Sequence, residues 1–316
     1  LIMTEKEFNI IGKDLDKEAF DLSKKTLNEW REEGIEKING EIEKSPEEIR
    51  WIEMINEYID DEIKSLNIEQ KPVLLNDQVH MLSEKSFNNN VKSRDADGVF
   101  RSIQQNIYIE KEKHNRIEIL KAVLHEALHF KSLQKFYVDS KRMKIDVIKM
   151  GYQAYKPNED DHEHFRGLNE AVTDLIVTEI SSINRDEIIK EFNITEDEEW
   201  ESDPSFYRDY MKIIKLIIKK IAEYKGVEYD DIWKKIKKGY FGGEMMHLRG
   251  VEDVFGPGSL RFLGALGSGE KLAGRSELNK KFYRYFETDD QAKRDKIAKE
   301  VLNERERLRH KNRLNK

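Results

Sequence analysis

The chain has 316 residues, of which 38% are hydrophobic and 38% are charged, so it carries enough apolar side chains for a folded core. Its 56 lysines and arginines stand against 63 aspartates and glutamates, which gives a net charge of −7 and argues against a dedicated nucleic-acid binder. The chain has no cysteine, which excludes disulfides, thiol catalysis and cysteine-containing zinc sites. Any bound metal must be held by carboxylates or by the eight histidines.

The sequence also lacks the apolar segments that direct or anchor a protein to membranes. Residues 1–7 become acidic and polar within a few positions, unlike the apolar centre of a signal peptide. The most apolar stretch, residues 211–221, is interrupted by four lysines and is typical of an amphipathic helix. We therefore predict a cytoplasmic protein with no membrane partner.

The N-terminal elements are predicted to be mainly helical. Residues 1–70 are rich in Glu, Lys, Ile and Leu, which predicts two or three helices. One of them begins at Ser45, where serine as N-cap, proline at the first helical position and glutamate at the third form a capping box. Short apolar runs then predict strands at residues 71–75, 98–100 and 106–110.

Two patterned helices follow in the middle of the chain. Apolar residues recur at helical spacing over residues 116–137 and again over 168–183, with short strands expected near 145–147 and 152–155. The remaining helices are expected at residues 205–225, 229–240, 258–266, with Ser259 as N-cap, and 290–313. The predicted fold class is α+β and predominantly helical, with a small sheet confined to about residues 71–155.

A His-Glu-x-x-His motif at residues 125–129 is the strongest chemical signal in the sequence. Residues four apart share one helix face, so His125 and His129 can bind one metal ion together. Glu126 lies one position away and can accept a proton beside the metal. A catalytic zinc site needs three protein ligands and one open position for water, so a third ligand is required.

The third ligand is predicted on the second patterned helix. The residues after His129 lack the closely spaced third histidine of the metzincin pattern. Glu170, at the start of the helix predicted over residues 168–183, can complete a shell of two histidines and one glutamate. Asp174 lies four residues later on the same face and can accept the outer N–H of one ligating imidazole, while Asn169 can do the same for the other.

These two motifs together resemble the gluzincin metallopeptidases, the thermolysin-like branch of the zincins. The motif at 125–129 is followed by Asn169-Glu170-Ala171-Val172-Thr173-Asp174, which matches the Asn-Glu-x-x-Ser/Thr-Asp pattern of that family. The resemblance covers only these two helices. It implies one zinc ion on His125, His129 and Glu170, with Glu126 as general base and Asp174 behind a histidine.

The resemblance also implies a layout and a division of the chain. In a zincin, the helix that carries the first two ligands lies along the floor of a cleft, with a small sheet above it and the third-ligand helix below. We accordingly predict an N-terminal helical accessory region over residues 1–70, a zincin-like catalytic core over 71–184 and a helical C-terminal lobe over 185–316. Residues 98–110 are the candidate edge for binding an extended peptide substrate.

The predicted reaction is hydrolysis of peptide bonds. A metal-polarised water would attack the scissile carbonyl, and Glu126 would accept its proton and pass it to the leaving amine. The family also uses a histidine or tyrosine to stabilise the oxyanion. His247 is a candidate for that role, and Tyr207, Tyr210 and Tyr240 compete with it.

Two alternative functions remain open from the sequence. One is a zinc hydrolase that acts on a bond other than the peptide bond. The other is a non-catalytic scaffold or binding protein on a degenerate zincin fold. An intact Glu126 argues against the scaffold, because a binding protein has no need of a general base.

Overall fold

A computed structural model of the protein describes residues 9–13, 15–91, 96–142, 144–156, 163–192, 194, 207–267 and 275–314. The chain divides into two compact units. The first comprises Leu1–Met150 and Ile176–Ser202, and the second comprises Gly151–Leu175 and Asp203–Lys316. One helix, Arg166–Ile183, begins in the second unit and ends in the first.

The first unit combines helices with short strands. In chain order its elements are β1 (Asn9–Lys13), α1 (Lys17–Ile35), α2 (Pro46–Ser65), a 3₁₀ turn (Asn76–Gln78), β2 (Val79–Leu82), α3 (Glu84–Val91), β3 (Gly98–Arg101), β4 (Asn106–Glu110), α4 (Arg116–Lys131), β5 (Gln134–Asp139) and β6 (Lys144–Met150). The end of α5 (Arg166–Ile183) and α6 (Arg185–Glu191) complete it.

The strands of the first unit form two separate ladders. In one, β5 pairs in parallel with β1 and antiparallel with β6. In the other, β4 lies in the centre, parallel to β2 and antiparallel to β3. All five residues of β4 are buried, as expected for a central strand, whereas β3 forms one edge of this three-stranded sheet.

Helix α4 packs against both α2 and the strands β3 and β4. Trp51 on α2 donates its indole N–H to the backbone oxygen of Leu120 at 3.3 Å, and the rings of Phe100 and Phe130 meet edge to face at 5.9 Å between centroids. At the end of α4, the fully buried ammonium of Lys131 lies 2.8 Å from a carboxylate oxygen of Asp60. These contacts fix α4 on two sides.

A buried histidine connects α1 to the three-stranded sheet. His80 on β2 is 1% exposed. Its Nδ1 lies 3.1 Å from a carboxylate oxygen of Glu41, and its Nε2 lies 2.7 Å from the backbone oxygen of Gly34 near the end of α1. Asn106 on β4 donates to the same Gly34 oxygen, so one carbonyl receives two side chains from neighbouring strands.

The second unit is mostly helical. Its elements are β7 (Gln153–Tyr155), β8 (Glu163–His164), the first part of α5, α7 (Arg208–Lys225), α8 (Tyr229–Gly242), a 3₁₀ turn (Met246–Leu248), α9 (Arg249–Phe255), α10 (Ser259–Leu263), α11 (Arg275–Glu287) and α12 (Gln291–Leu314). Its core contains the rings of Phe262, Phe282 and Tyr285, with centroids 4.5 Å and 4.2 Å from Phe262 to the other two.

The structure confirms the coarse prediction of a mixed, mostly helical fold with small sheets. The capping box at Ser45 forms as predicted, and β3, β4 and α5 lie where strands and a helix were expected. Helix α7 begins at Arg208, while residues 205 and 206 lie outside the described part of the chain.

Four local predictions are wrong. Residues 1–70 include the strand β1, so strands are not confined to about 71–155. Residues 71–75 form no strand, and α4 ends at Lys131 because β5 begins at Gln134. Ser259 is not an N-cap, since its hydroxyl donates to the backbone oxygens of Val251 and Gly256.

Among the described residues, no helix combines the length and the apolar character needed to cross a membrane.

The buried ion pair at the end of α4 gives a stability prediction. Burial lowers the pKa of Lys131, and Asp60 opposes that shift. Asp60→Asn removes the countercharge from a fully buried ammonium and should lower the free energy of unfolding by about 3 kcal/mol in urea titrations. Asp61→Asn, at the exposed neighbouring position, is the matched control and should change it by less than about 0.5 kcal/mol. Equal effects of the two substitutions would contradict a structural role for the pair.

Candidate metal centre

Helix α4 brings the two predicted histidine ligands together. The helix begins at the N-cap Asn115, whose side chain accepts from the backbone N–H of Glu118 at 3.0 Å. One turn apart on this helix, His125 and His129 point their Nε2 atoms at each other across 3.0 Å. Two nitrogens bound at about 2.0–2.1 Å to one tetrahedral zinc ion lie about 3.3 Å apart, so the observed spacing fits a shared ion.

Glu170 is the third member of a group of side chains that could hold a metal ion. One ligand atom from each of His125, His129 and Glu170 lies within 4.8 Å of the other two. His129 and Glu170 are 4% and 7% exposed, so little water solvates their polar atoms. Two imidazole nitrogens and one carboxylate are the donor set of catalytic zinc sites with an open fourth position. The three residues therefore fit a single zinc ion by donor type and by convergence.

Glu126 contacts the edge strand β3. It is 8% exposed, and one of its carboxylate oxygens accepts the backbone N–H of Phe100 at 2.7 Å. Gly98 permits this close approach, because a Cβ atom there would lie 2.9 Å from the Cγ of Glu126 and 2.9 Å from the Cδ1 of Ile109. No role was predicted for Gly98. Only the packing of β3 against α4 reveals why a glycine suits this position.

Asn169, the residue before Glu170, holds the turn that follows β6. Its side-chain oxygen accepts the backbone N–H of Tyr152 at 2.9 Å, and a Cβ atom on Gly151 would clash with that oxygen. Gly151 also has a φ of +54°, which favours glycine. Asp174 is half-buried on the same helix. The predicted hydrogen bonds from ligating imidazoles to Asn169 and Asp174 stay predictions.

His247 is held by a tyrosine within the second unit. The buried hydroxyl of Tyr152 donates to the backbone oxygen of Ile236 at 2.7 Å and lies 2.6 Å from Nε2 of His247. Because the hydroxyl has only one hydrogen, it accepts from His247, whose Nε2 must then carry a proton. In this arrangement the predicted oxyanion role of His247 would fall to Nδ1, and only in a ring that carries a proton on both nitrogens.

The three competing tyrosines have different surroundings. Tyr240 is fully buried, and its hydroxyl lies 2.9 Å from the hydroxyl of Thr173 on α5. Tyr210 is also buried, in the stacked pair that it forms with Tyr207. Tyr207 in turn hydrogen-bonds the guanidinium of Arg166. Their roles at a reacting carbonyl stay predictions.

Two residues that interact with Glu170, Tyr155 and Arg166, were not predicted from the sequence. Burial, together with the charges of Glu163 and Glu170, raises the pKa of Tyr155, so its hydroxyl keeps its hydrogen and can donate. Burial opposes the charge of Arg166, but Glu163, Glu170 and Tyr207 outweigh that effect and raise its pKa. Tyr155 lies on β7, in a segment that the sequence predicts only as a strand. No spacing rule connects it to Glu170.

Comparisons of the chain with protein-family models, with curated proteins and with solved structures found no match.

Metal binding gives the first test of this centre. Wild-type protein is expected to bind one zinc ion per chain, and Glu170→Gln should weaken zinc binding by more than about 100-fold, because a direct ligand is lost. Competition with a chelator of known affinity measures the change. Glu179→Gln is the matched control, since it removes a charge nine residues later, on the opposite face of the same helix. Unchanged zinc affinity in Glu170→Gln would exclude Glu170 as a ligand.

Proposed function

We propose that this protein is a zinc-dependent metallopeptidase of the gluzincin type. The observation that carries the proposal is the convergence of His125, His129 and Glu170 with the carboxylate of Glu126 on the adjoining position of α4. Both sequence motifs of that family supply these residues in the expected order. A purely structural cluster would have no need of the neighbouring carboxylate.

The two histidines and Glu170 would hold the metal, and its chemistry when bound is to polarise a carbonyl and lower the pKa of a water. Glu126 would accept the proton of the attacking water and deliver it to the leaving nitrogen. The backbone N–H of Phe100 orients the carboxylate for this transfer. Because the side chain is 8% exposed, few water molecules compete for the proton.

The edge strand β3 is the proposed binding surface for the substrate backbone. It lies at one end of the order β2-β4-β3, and its residues from Gly98 to Arg101 pair with β4 on one side. The N–H of Phe100 donates to the carboxylate of Glu126. An extended peptide that adds to this edge would therefore run directly beside the proposed general base.

The general base gives the decisive test. Glu126→Gln keeps the shape of the side chain but cannot accept a proton, so cleavage of a mixed peptide library should fall by about 10²–10⁴-fold while the zinc content stays unchanged. Mass spectrometry of the products and metal analysis measure the two quantities. Glu43→Gln, at an exposed position in the first unit, is the control and should cleave at the wild-type rate.

Other outcomes of this experiment distinguish the alternatives. The protein could bind one zinc ion per chain and cleave no peptide, yet hydrolyse esters or other amides in a reaction that needs Glu126. That result would identify it as a zinc hydrolase that acts on a bond other than the peptide bond. If the protein binds one zinc ion per chain but hydrolyses none of these substrates through Glu126, the result would favour a non-catalytic scaffold or binding protein. Absence of zinc binding would overturn all the zinc-dependent functions.

Gly98 supplies a second functional prediction. Gly98→Ala places a methyl group 2.9 Å from the Cγ of Glu126 and should displace the carboxylate, so kcat should fall by about 10–100-fold with zinc retained. The double variant Gly98→Ala/Ile109→Val removes the other close contact, with the Cδ1 of Ile109. If the loss came from the contact with Ile109, the double variant would regain activity, and our explanation would be wrong. Ile109→Val alone is the control.

A further inference from the structure

The second unit contains a groove whose charge is opposite to that of the whole chain. The groove has a volume of about 1010 Å³ and lies along α7 and α11, with Tyr229 of α8 at its wall. The chain carries a net charge of −7, but five cationic side chains line the groove against two anionic ones. The cationic ones are Lys212, Lys215, Lys219, Lys280 and Arg284.

Two of these cations have no partner in the described part of the chain. Lys280 pairs with Glu277 at 2.7 Å and Lys219 with Glu223 at 3.8 Å, each on its own helix. Lys212 and Lys215 are exposed and form no ion pair or hydrogen bond with the side chains that the structure describes. Their charges therefore remain available to an anionic ligand.

The spacing of the lysines on α7 suits an extended chain with alternating acidic side chains. With a rise of about 1.5 Å per residue, Lys215 and Lys219 lie about 6 Å apart along the helix axis. Alternate side chains of an extended peptide lie about 6.6–6.8 Å apart on one face. Tyr229 and Tyr283 line the same groove and are half-buried, so each offers an apolar ring and a polar hydroxyl to a peptide.

We propose that this groove binds an extended acidic segment of another protein. Asp209 and Glu287 also line the groove, where they can accept backbone N–H groups of a peptide. The interaction goes beyond the proposed peptidase activity and needs neither the metal nor Glu126.

The test is a binding measurement with a defined probe. Fluorescence anisotropy of a labelled peptide with glutamate at every second position should show binding to full-length protein, and a matched glutamine peptide should not bind. The double variant Lys212→Gln/Lys215→Gln should bind the glutamate peptide about tenfold more weakly. The control Lys64→Gln/Lys234→Gln removes two exposed charges outside the groove and should bind as the wild type does.

A second comparison tests the groove proposal independently of the metal site. Glu126→Gln should bind the glutamate peptide with the wild-type affinity, with or without chelator. Loss of peptidase activity in that variant therefore leaves the groove proposal standing, and failure of the peptide to bind leaves the peptidase proposal standing.

Three results would overturn the groove proposal. The first is equal affinity of the Lys212→Gln/Lys215→Gln variant and the wild type, or no binding by either. The second is displacement of the peptide by a single-stranded oligonucleotide that binds more tightly through the same lysines, which would assign the groove to nucleic acid. The third is that the peptide binds only after the acidic residues within 196–201 are changed to amides. That result would make this acidic segment of the same chain the ligand of the groove.

Discussion

The burial of helix α4 is the constraint on which the candidate site depends. A helix that packs against α2 on one side and against β3 and β4 on another must satisfy each polar group that it takes out of water. Lys131 meets this requirement through Asp60, and Glu126 through the backbone of Phe100. The two histidines lie with their nitrogens facing each other. The chemistry of the site thus follows from the way in which a mostly apolar helix accommodates four polar side chains.

The sequence was most informative where a short-range rule applies. The spacing of His125 and His129 needs only the period of a helix, and the strand at 106–110 needs only a run of apolar residues, since β4 is buried along its whole length. The capping box at Ser45 is equally local. Glu170 was predicted from its place at the start of a patterned helix and from the family pattern that links it to the motif, although it lies 41 positions after His129.

Features that depend on tertiary partners were missed. The strand β1 pairs with β5, more than a hundred residues later, so nothing near it in the sequence indicates a strand. Residues 71–75 have the composition of a strand but no ladder partner, and Val73 and Leu75 are 51% and 40% exposed. Gly98 and Tyr155 acquire their importance from side chains on other elements, which composition and periodicity do not reveal.

The arrangement of His80 sets it apart from the proposed ligands. Both of its ring nitrogens face acceptors, the carboxylate of Glu41 and the carbonyl of Gly34, and hydrogen bonds with His80 and Ile38 help to keep the pKa of Glu41 low despite its burial. Both nitrogens are therefore engaged in hydrogen bonds within the first unit. A ring that is held at both nitrogens has neither of them free to bind zinc, so the fold keeps this buried histidine for structure and leaves metal chemistry to others.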